Sequence, residues 1–145
     1  MLSQAHQTLH IRTDGEGFVN VTADLAEWLT AIGAADGLLT AFIAHTSASL
    51  TIQENADADV RHDLKTALRR IAPESSAYRH SFEGPDDMPA HIKAMLTSVS
   101  LSIPVLEGRI MLGTWQGIYL IEHRAQPHRR KLELHFVGTR QTSAA

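Results

Sequence analysis

Apolar and polar positions change their period several times along this chain, and each change predicts an element boundary. Residues 6–13, HQTLHIRT, alternate loosely, and Asp14, Gly15, Glu16 and Gly17 then supply turn residues, which predicts a first strand and its exit. Between residues 20 and 32 the interval lengthens. Leu25, Trp28, Leu29 and Ile32 recur at helical spacing, with Asn20 or Thr22 placed to cap and Gly33 placed to stop. Residues 37–44, GLLTAFIA, are almost continuously apolar and residues 49–53 continue in β-branched style, so two strands, or one long bent strand, flank His45, Thr46 and Ser47.

From Asn55 the helical period returns in Val60, Leu64, Leu68 and Ile71. Asp57 and Asp59 stand in the first turn of this helix and Arg69 and Arg70 in the last, as the helix dipole favours. Pro73 ends it. Residues 73–89 then carry Ser75, Ser76, Gly84, Pro85, Asp86 and Asp87 without periodicity, a long irregular loop of the kind that is usually functional or disordered. Pro89 suits the first turn of a short helix over 90–96. Residues 98–104, SVSLSIP, alternate as a half-buried strand, and Glu107 and Gly108 turn the chain into residues 109–112. After Gly113-Thr114-Trp115-Gln116-Gly117 come an apolar strand over 118–121 and, past Gln126 and Pro127, a last strand over 131–137, with a frayed, flexible tail from about 139.

At 145 residues with 43% hydrophobic and 20% charged side chains, the expectation is a single domain over 1–145. A chain of this size hides roughly 68–70% of its unfolded surface, enough for a core without covalent staples. With no cysteine, disulfides, thiolate-bound zinc and thiol nucleophiles are excluded, so any metal must use nitrogen and oxygen ligands. Lys plus Arg numbers 13 against 16 for Asp plus Glu, a net charge of −3, which disfavours a nucleic-acid partner. No stretch approaches the roughly 18 apolar residues of a membrane span, and the first residues lack a signal-peptide pattern; the expected compartment is the cytoplasm. The nine histidines are the compositional anomaly: neutral they are nitrogen ligands and proton carriers, and protonated they reverse the sign of the net charge.

Four places put these residues where chemistry is available. His45 ends an apolar run, where an imidazole serves as metal ligand, general base or satisfied core histidine. Glu54, Asn55, Asp57 and Asp59 gather at a helix start, suited to phosphate through free amides or to a cation through carboxylates, although capping accounts for them as well. His80 and His91 bracket the Asp-rich loop; opposite His45 they would complete three nitrogens of an open metal site. In GTWQG, Trp115 offers a ring for stacking and Gln116 a hydrogen-bonding amide, with a packed turn as the plain alternative. A buried Glu122 needs a partner, for which Arg124, a metal-bound histidine or a cation are candidates. The basic run His128, Arg129, Arg130, Lys131 reads as a solvated turn, with an anion contact as the alternative. Nucleotide-loop, zinc-protease and serine-hydrolase signatures are absent from the sequence.

The segments HTSASLTIQENADADVRHDL, YRHSFEG and DDMPAHIKAMLTSVSLSIPVLEGRIMLGTWQGIYLIEHR together resemble the YjbQ family, also called the secondary thiamine-phosphate synthase family. The resemblance implies a small α+β domain of largely antiparallel, sandwich-like sheets with packed helices, assembled as a homotrimer. It also implies a transferase that joins hydroxymethylpyrimidine diphosphate to thiazole phosphate, with histidine-lined sites for a divalent metal ion, zinc or magnesium, or for a sulfate-like anion. Carried over by position, His45, His80, His91 and Glu122 are the expected catalytic groups, the three histidines being the expected metal ligands. Asn55, Asp57, Gly113, Thr114, Trp115 and Gln116 are the expected substrate and phosphate contacts. A trimeric protein that binds a phosphorylated ligand without turnover, and a metal-dependent phosphoester hydrolase, use the same residues.

Overall fold

The computed structural model describes residues 1–141. The elements in chain order are β1 (Ser3–Thr13), β2 (Gly17–Asn20), α1 (Thr22–Ala31), β3 (Ala34–Ile43), β4 (Ala48–Glu54), α2 (Ala58–Ile71), α3 (Asp87–Leu96), β5 (Ser100–Leu106), β6 (Arg109–Ile110), β7 (Gln116–Glu122) and β8 (His128–Arg140). They build one five-stranded sheet, ordered β1-β8-β3-β5-β6, and one three-stranded sheet, ordered β2-β7-β4, with antiparallel pairing throughout. The domain is therefore α+β, with two antiparallel sheets and three helices. None of those helices is long and apolar enough to cross a membrane.

Strand alternation decides what lies between the sheets. In β8, Arg130, Leu132, Leu134 and Phe136 point inward while Arg129, Lys131 and Val137 face out. Leu39, Ala41 and Ile43 of β3 and Ile103 and Val105 of β5 join them from the same sheet, and Leu50, Ile118 and Leu120 meet them from the other. Helix α1 closes this core with Leu25, Trp28 and Leu29. Asn20 Oδ1 accepts from the Thr22 amide at its start, and Gly33, at φ +69°, ends it.

Of the two readings of the 37–44 and 49–53 runs, two strands is the one the structure adopts, in different sheets, because the chain between them crosses from one layer to the other. Other expectations need correction. The turn after β1 leads into a short strand, β2, which pattern alone does not reveal in four residues. Helix α2 buries no residue fully despite its regular stripe, and Ile71 is 61% exposed: the helix lies on the outside of the small sheet. The predicted fraying of the chain end fails as far as the described residues go. Gly138 faces Gly37, two backbones too close for any Cβ, and beyond a register shift Arg140 pairs with Ala34. Residues 142–145 of the expected flexible tail lie outside the described chain.

One polar joint ties the two layers together. Glu122, fully buried at the end of β7, accepts from Thr13 Oγ1 of β1 at 2.5 Å and from Arg130 Nε of β8 at 2.8 Å through Oε1. Its Oε2 accepts from the Arg130 terminal nitrogen and from the Arg124 amide at 3.1 Å. Arg130 also donates to the Ser47 carbonyl and hydroxyl. The expectation of a solvated basic turn is thus wrong for Arg130, which is 3% exposed. Neither charge lacks a partner, the condition under which such a pair is tolerated. Neighbouring His123 is equally buried, its Nε2 lying 2.8 Å from Ser49 Oγ, so both faces of β7 are covered at this end.

These buried groups set two expectations. Arg130→Met leaves the Glu122 carboxylate buried and unpaired, and urea unfolding at neutral pH should show a loss of about 3–5 kcal/mol. Burial, aided by the Lys93 charge, pushes His123 down to about 4. An unfolded histidine titrates near ~6.5, so as pH falls between those values only the unfolded state takes up this proton and stability drops, by on the order of 3 kcal/mol. Burial works against ionised Glu122, yet its hydrogen bonds from Arg130 and Thr13 hold it below the usual range, so its contribution is lost only below the unfolded carboxylate value of about 4.3. His123→Gln should therefore flatten the upper acid window in a pH series of urea midpoints while the steep loss below it persists.

Candidate functional site

The long loop of residues 72–86 ends where α3 begins, and the first residue of that helix, Asp87, is the centre of the site. Pro89 is accommodated because first-turn amides have no helical acceptor to lose. Helical spacing places His91 one turn beyond Asp87 on the same face, with Nε2 3.1 Å from Oδ2. The loop returns His80 to the same oxygen at 2.5 Å, and the two imidazole centroids are 5.3 Å apart. From the turn after β7, Arg124 donates to Asp87 Oδ1 at 2.7 Å, to Asp86 Oδ2 at 3.0 Å and to the Glu83 carbonyl at 2.8 Å. Asp87 is 2% exposed, whereas the His80 and His91 side chains are 43% and 32% exposed, so the carboxylate is the floor and the rings are the mouth.

Both imidazoles turn Nε2 toward the Asp87 carboxylate. The Nδ1 of His91 lies 3.0 Å from the Thr46 carbonyl, which only accepts, so Nδ1 is the N–H of that ring and Nε2 is the nitrogen aimed into the site. Burial opposes ionisation of Asp87, but the hydrogen bond from His80, the Arg124 charge and His91 outweigh it and hold the carboxyl below its ordinary range. Asp86 shifts the same way, its burial overcome by the Ala125 amide and Arg124. Arg124 is desolvated in turn, yet Asp86 and Asp87 keep it firmly protonated.

One atom from each of His80, Asp87 and His91 falls within 4.8 Å of the other two, two imidazole nitrogens and one carboxylate oxygen around a common point. The Thr46 carbonyl holds the far nitrogen of His91 as an N–H, the arrangement that orients a ligating histidine. The expected third nitrogen, that of His45, is not among these atoms, although His45 lines a surface pocket beside Thr46 and His91. His45 Nε2 accepts the Lys131 amide at 2.7 Å, which engages the lone pair of that nitrogen, and burial together with Arg130 lowers its pKa. Glu122 belongs to the Arg130 joint and reaches the site only through the Arg124 backbone.

The expected substrate contacts gather at a different corner. Asn55 N donates to the Trp115 carbonyl at 2.8 Å, and Gln116 Oε1 accepts the Gly113 amide at 2.7 Å, so Gln116 closes the GTWQG turn. Thr114 in that turn is exposed, Trp115 is 63% exposed, and Asp57 caps α2 by accepting from the Asp59 amide. Glu54 has a buried carboxylate oxygen without a partner among the described residues, and Arg61 bridges the Glu54 carbonyl and the Tyr119 hydroxyl. Strand β4 runs from Ala48, opposite Glu122, to Glu54, opposite Gln116. Its six steps separate the two corners by about 20 Å along the strand within one chain. Sequence reasoning missed the central roles of Asp87 and Arg124. The Asp87/His91 interval of four on a helix was the available signal for the first, and nothing local signalled the second.

The family model described as UPF0047 protein YjbQ-like matches residues 7–139. A UPF0047 protein of Synechocystis is 47% identical over 136 residues, covering 93% of this chain and 92% of the relative. The UPF0047 protein YjbQ of Salmonella typhimurium is 42% identical over 127 residues, 87% of this chain and 92% of that one. Among solved structures, a YbjQ-like protein from Sulfolobus solfataricus superposes with a TM-score of 0.88 at 21% identity, covering 96% of this chain and all of the other, a likeness of fold. The Thermus thermophilus protein TT1486 superposes at 0.78 with 35% identity, covering 88% of this chain and 97% of that one. Sequence and fold agree, and the chain belongs to the YjbQ (UPF0047) family.

Proposed function

We propose that the His80, Asp87 and His91 cluster binds a divalent cation and that the protein uses it on a phosphorylated small molecule, in a transferase reaction of the thiamine-phosphate synthase type. The observation that carries this reading is the convergence of two imidazoles on one buried carboxylate, with the second nitrogen of His91 already oriented by Thr46. Two nitrogens and one oxygen are a donor set suited to zinc more than to magnesium, which prefers oxygen and water. In such a transfer the bond between the pyrimidine methylene carbon and a diphosphate oxygen breaks, the electron pair leaves with the diphosphate, and the thiazole nitrogen forms the new bond to carbon. A bound cation would supply compensation for the charge that grows on the leaving group. The chain's own groups prepare that environment: Arg124 keeps Asp87 ionised, and the exposed rings of His80 and His91 face the side from which a ligand arrives.

The reading includes a homotrimer. The GTWQG turn and the α2 start lie about 20 Å along β4 from the cluster, too far to touch the same small molecule within one chain. A neighbouring copy that presents Trp115 to the cluster would unite ring stacking with the charged centre, and head-to-tail contacts of this kind close into rings.

Protein prepared without chelator should retain a divalent ion on elemental analysis, and His91→Ala or Asp87→Asn should weaken its affinity at least tenfold. Full turnover by stripped protein, or unaltered metal content in both variants, would overturn the assignment. For the shared centre, co-refolding inactive His91→Ala with inactive Trp115→Ala should restore part of the activity, because some mixed contacts pair two intact halves. No recovery in verified mixed oligomers would place the reaction within one subunit. Binding of both substrates without any product would favour the non-catalytic phospho-ligand protein, and release of inorganic phosphate from phosphoesters would favour the hydrolase.

A further inference from the structure

On the other side of α3 from His91, the β1–β2 turn, α2 and α3 enclose an open cleft of about 920 Å3, within the size range of small-molecule sites. Its floor holds Lys93, whose side chain is only 5% exposed. Among the described residues the single ion-pair contact of that ammonium is Glu16 Oε2 at 3.4 Å, a long one, and an ammonium carries three donors. Burying so strongly hydrated a charge with most of its donors unused is costly unless something else accepts from it. Lys65 lines the same cleft and enters no ion pair among the described residues.

Four carboxylates also line the cleft. Glu16 is held by Arg69 at 2.6 Å as well as by Lys93, and Asp86 by Arg124 at 3.0 Å, whereas Asp14 makes only a long, exposed contact with Arg12 and Glu74 enters no ion pair among the described residues. Around the two lysines there is cationic capacity not yet engaged: the spare donors of Lys93 and the whole of Lys65. Phe18, Val19, Pro73 and Pro89 supply apolar wall beside them.

We propose that this cleft is a binding site for a small phosphorylated molecule, with Lys93 and Lys65 gripping the phosphoryl oxygens and the Phe18 side receiving the body of the ligand. The site is separate from the His80, Asp87 and His91 cluster and does not depend on the function proposed for it. Inorganic pyrophosphate, titrated by calorimetry into full-length protein stripped of metal, is the probe. Saturable binding is expected, with amide shifts centred on Gly17, Phe18 and Lys93. Affinity should fall at least tenfold in Lys93→Met and several-fold in Lys65→Ala, while His91→Ala binds as the unaltered protein does. Absence of binding, equal affinity in both lysine variants, or shifts centred on His80 and His91 would overturn the proposal. Should Lys93→Met fail to fold, the surface variant Lys65→Ala and the shift map decide alone.

Discussion

The Glu122–Arg130 pair is the constraint on which the rest of this structure depends. Each partner comes from a different sheet, and Thr13 and Ser47 add hydrogen bonds from the strand ends around them. A buried ion pair of this kind contributes little net stability, since desolvation offsets much of the attraction, but it strongly disfavours arrangements in which either charge loses its partner. Its effect is to hold the two layers in one relative placement at the end of the molecule that carries the His/Asp cluster.

That placement propagates outward. The same Glu122 carboxylate accepts the Arg124 amide, which fixes the first residue of the exposed turn after β7 and aims its guanidinium at Asp86 and Asp87. Arg124 in turn binds the Glu83 carbonyl, so the irregular loop is tied down just before α3 begins. Asp87 thus becomes a buried carboxylate with a fixed orientation, and the two histidines are arranged around it. Rigid support beneath and partly exposed rings above are the usual division of labour in a site that must hold its geometry and still admit a ligand.

Helix α3 divides the surface between two chemically different regions. One face carries Asp87 and His91, and another carries Pro89 and Lys93, which line the cleft beneath the β1–β2 turn. The Lys93 charge also reaches through to His123 and, together with burial, keeps that imidazole neutral, so charge on one side of the helix constrains protonation behind it. Ser49 and His123 lie within hydrogen-bond distance, but neither is exposed, and the pair serves as packing rather than as a nucleophile and base.

Much of the architecture was legible in the sequence. Alternation in residues 6–13, 98–104 and 131–137, helical spacing at Leu25, Trp28 and Leu29, and the acid-to-base polarity of α2 all depend on neighbours a few residues apart, which is the range over which backbone geometry acts. His80 and His91 stood out for the same local reason, flanking a loop with no periodicity. What only the tertiary structure decided were the long-range partnerships: Arg130 as the counter-ion of Glu122, His45 occupied by the Lys131 amide, Arg124 reaching Asp87, and the corner at Trp115 set apart from the histidines. Such contacts join residues as much as 86 positions apart, and a side chain's local pattern carries no record of which distant group will saturate it.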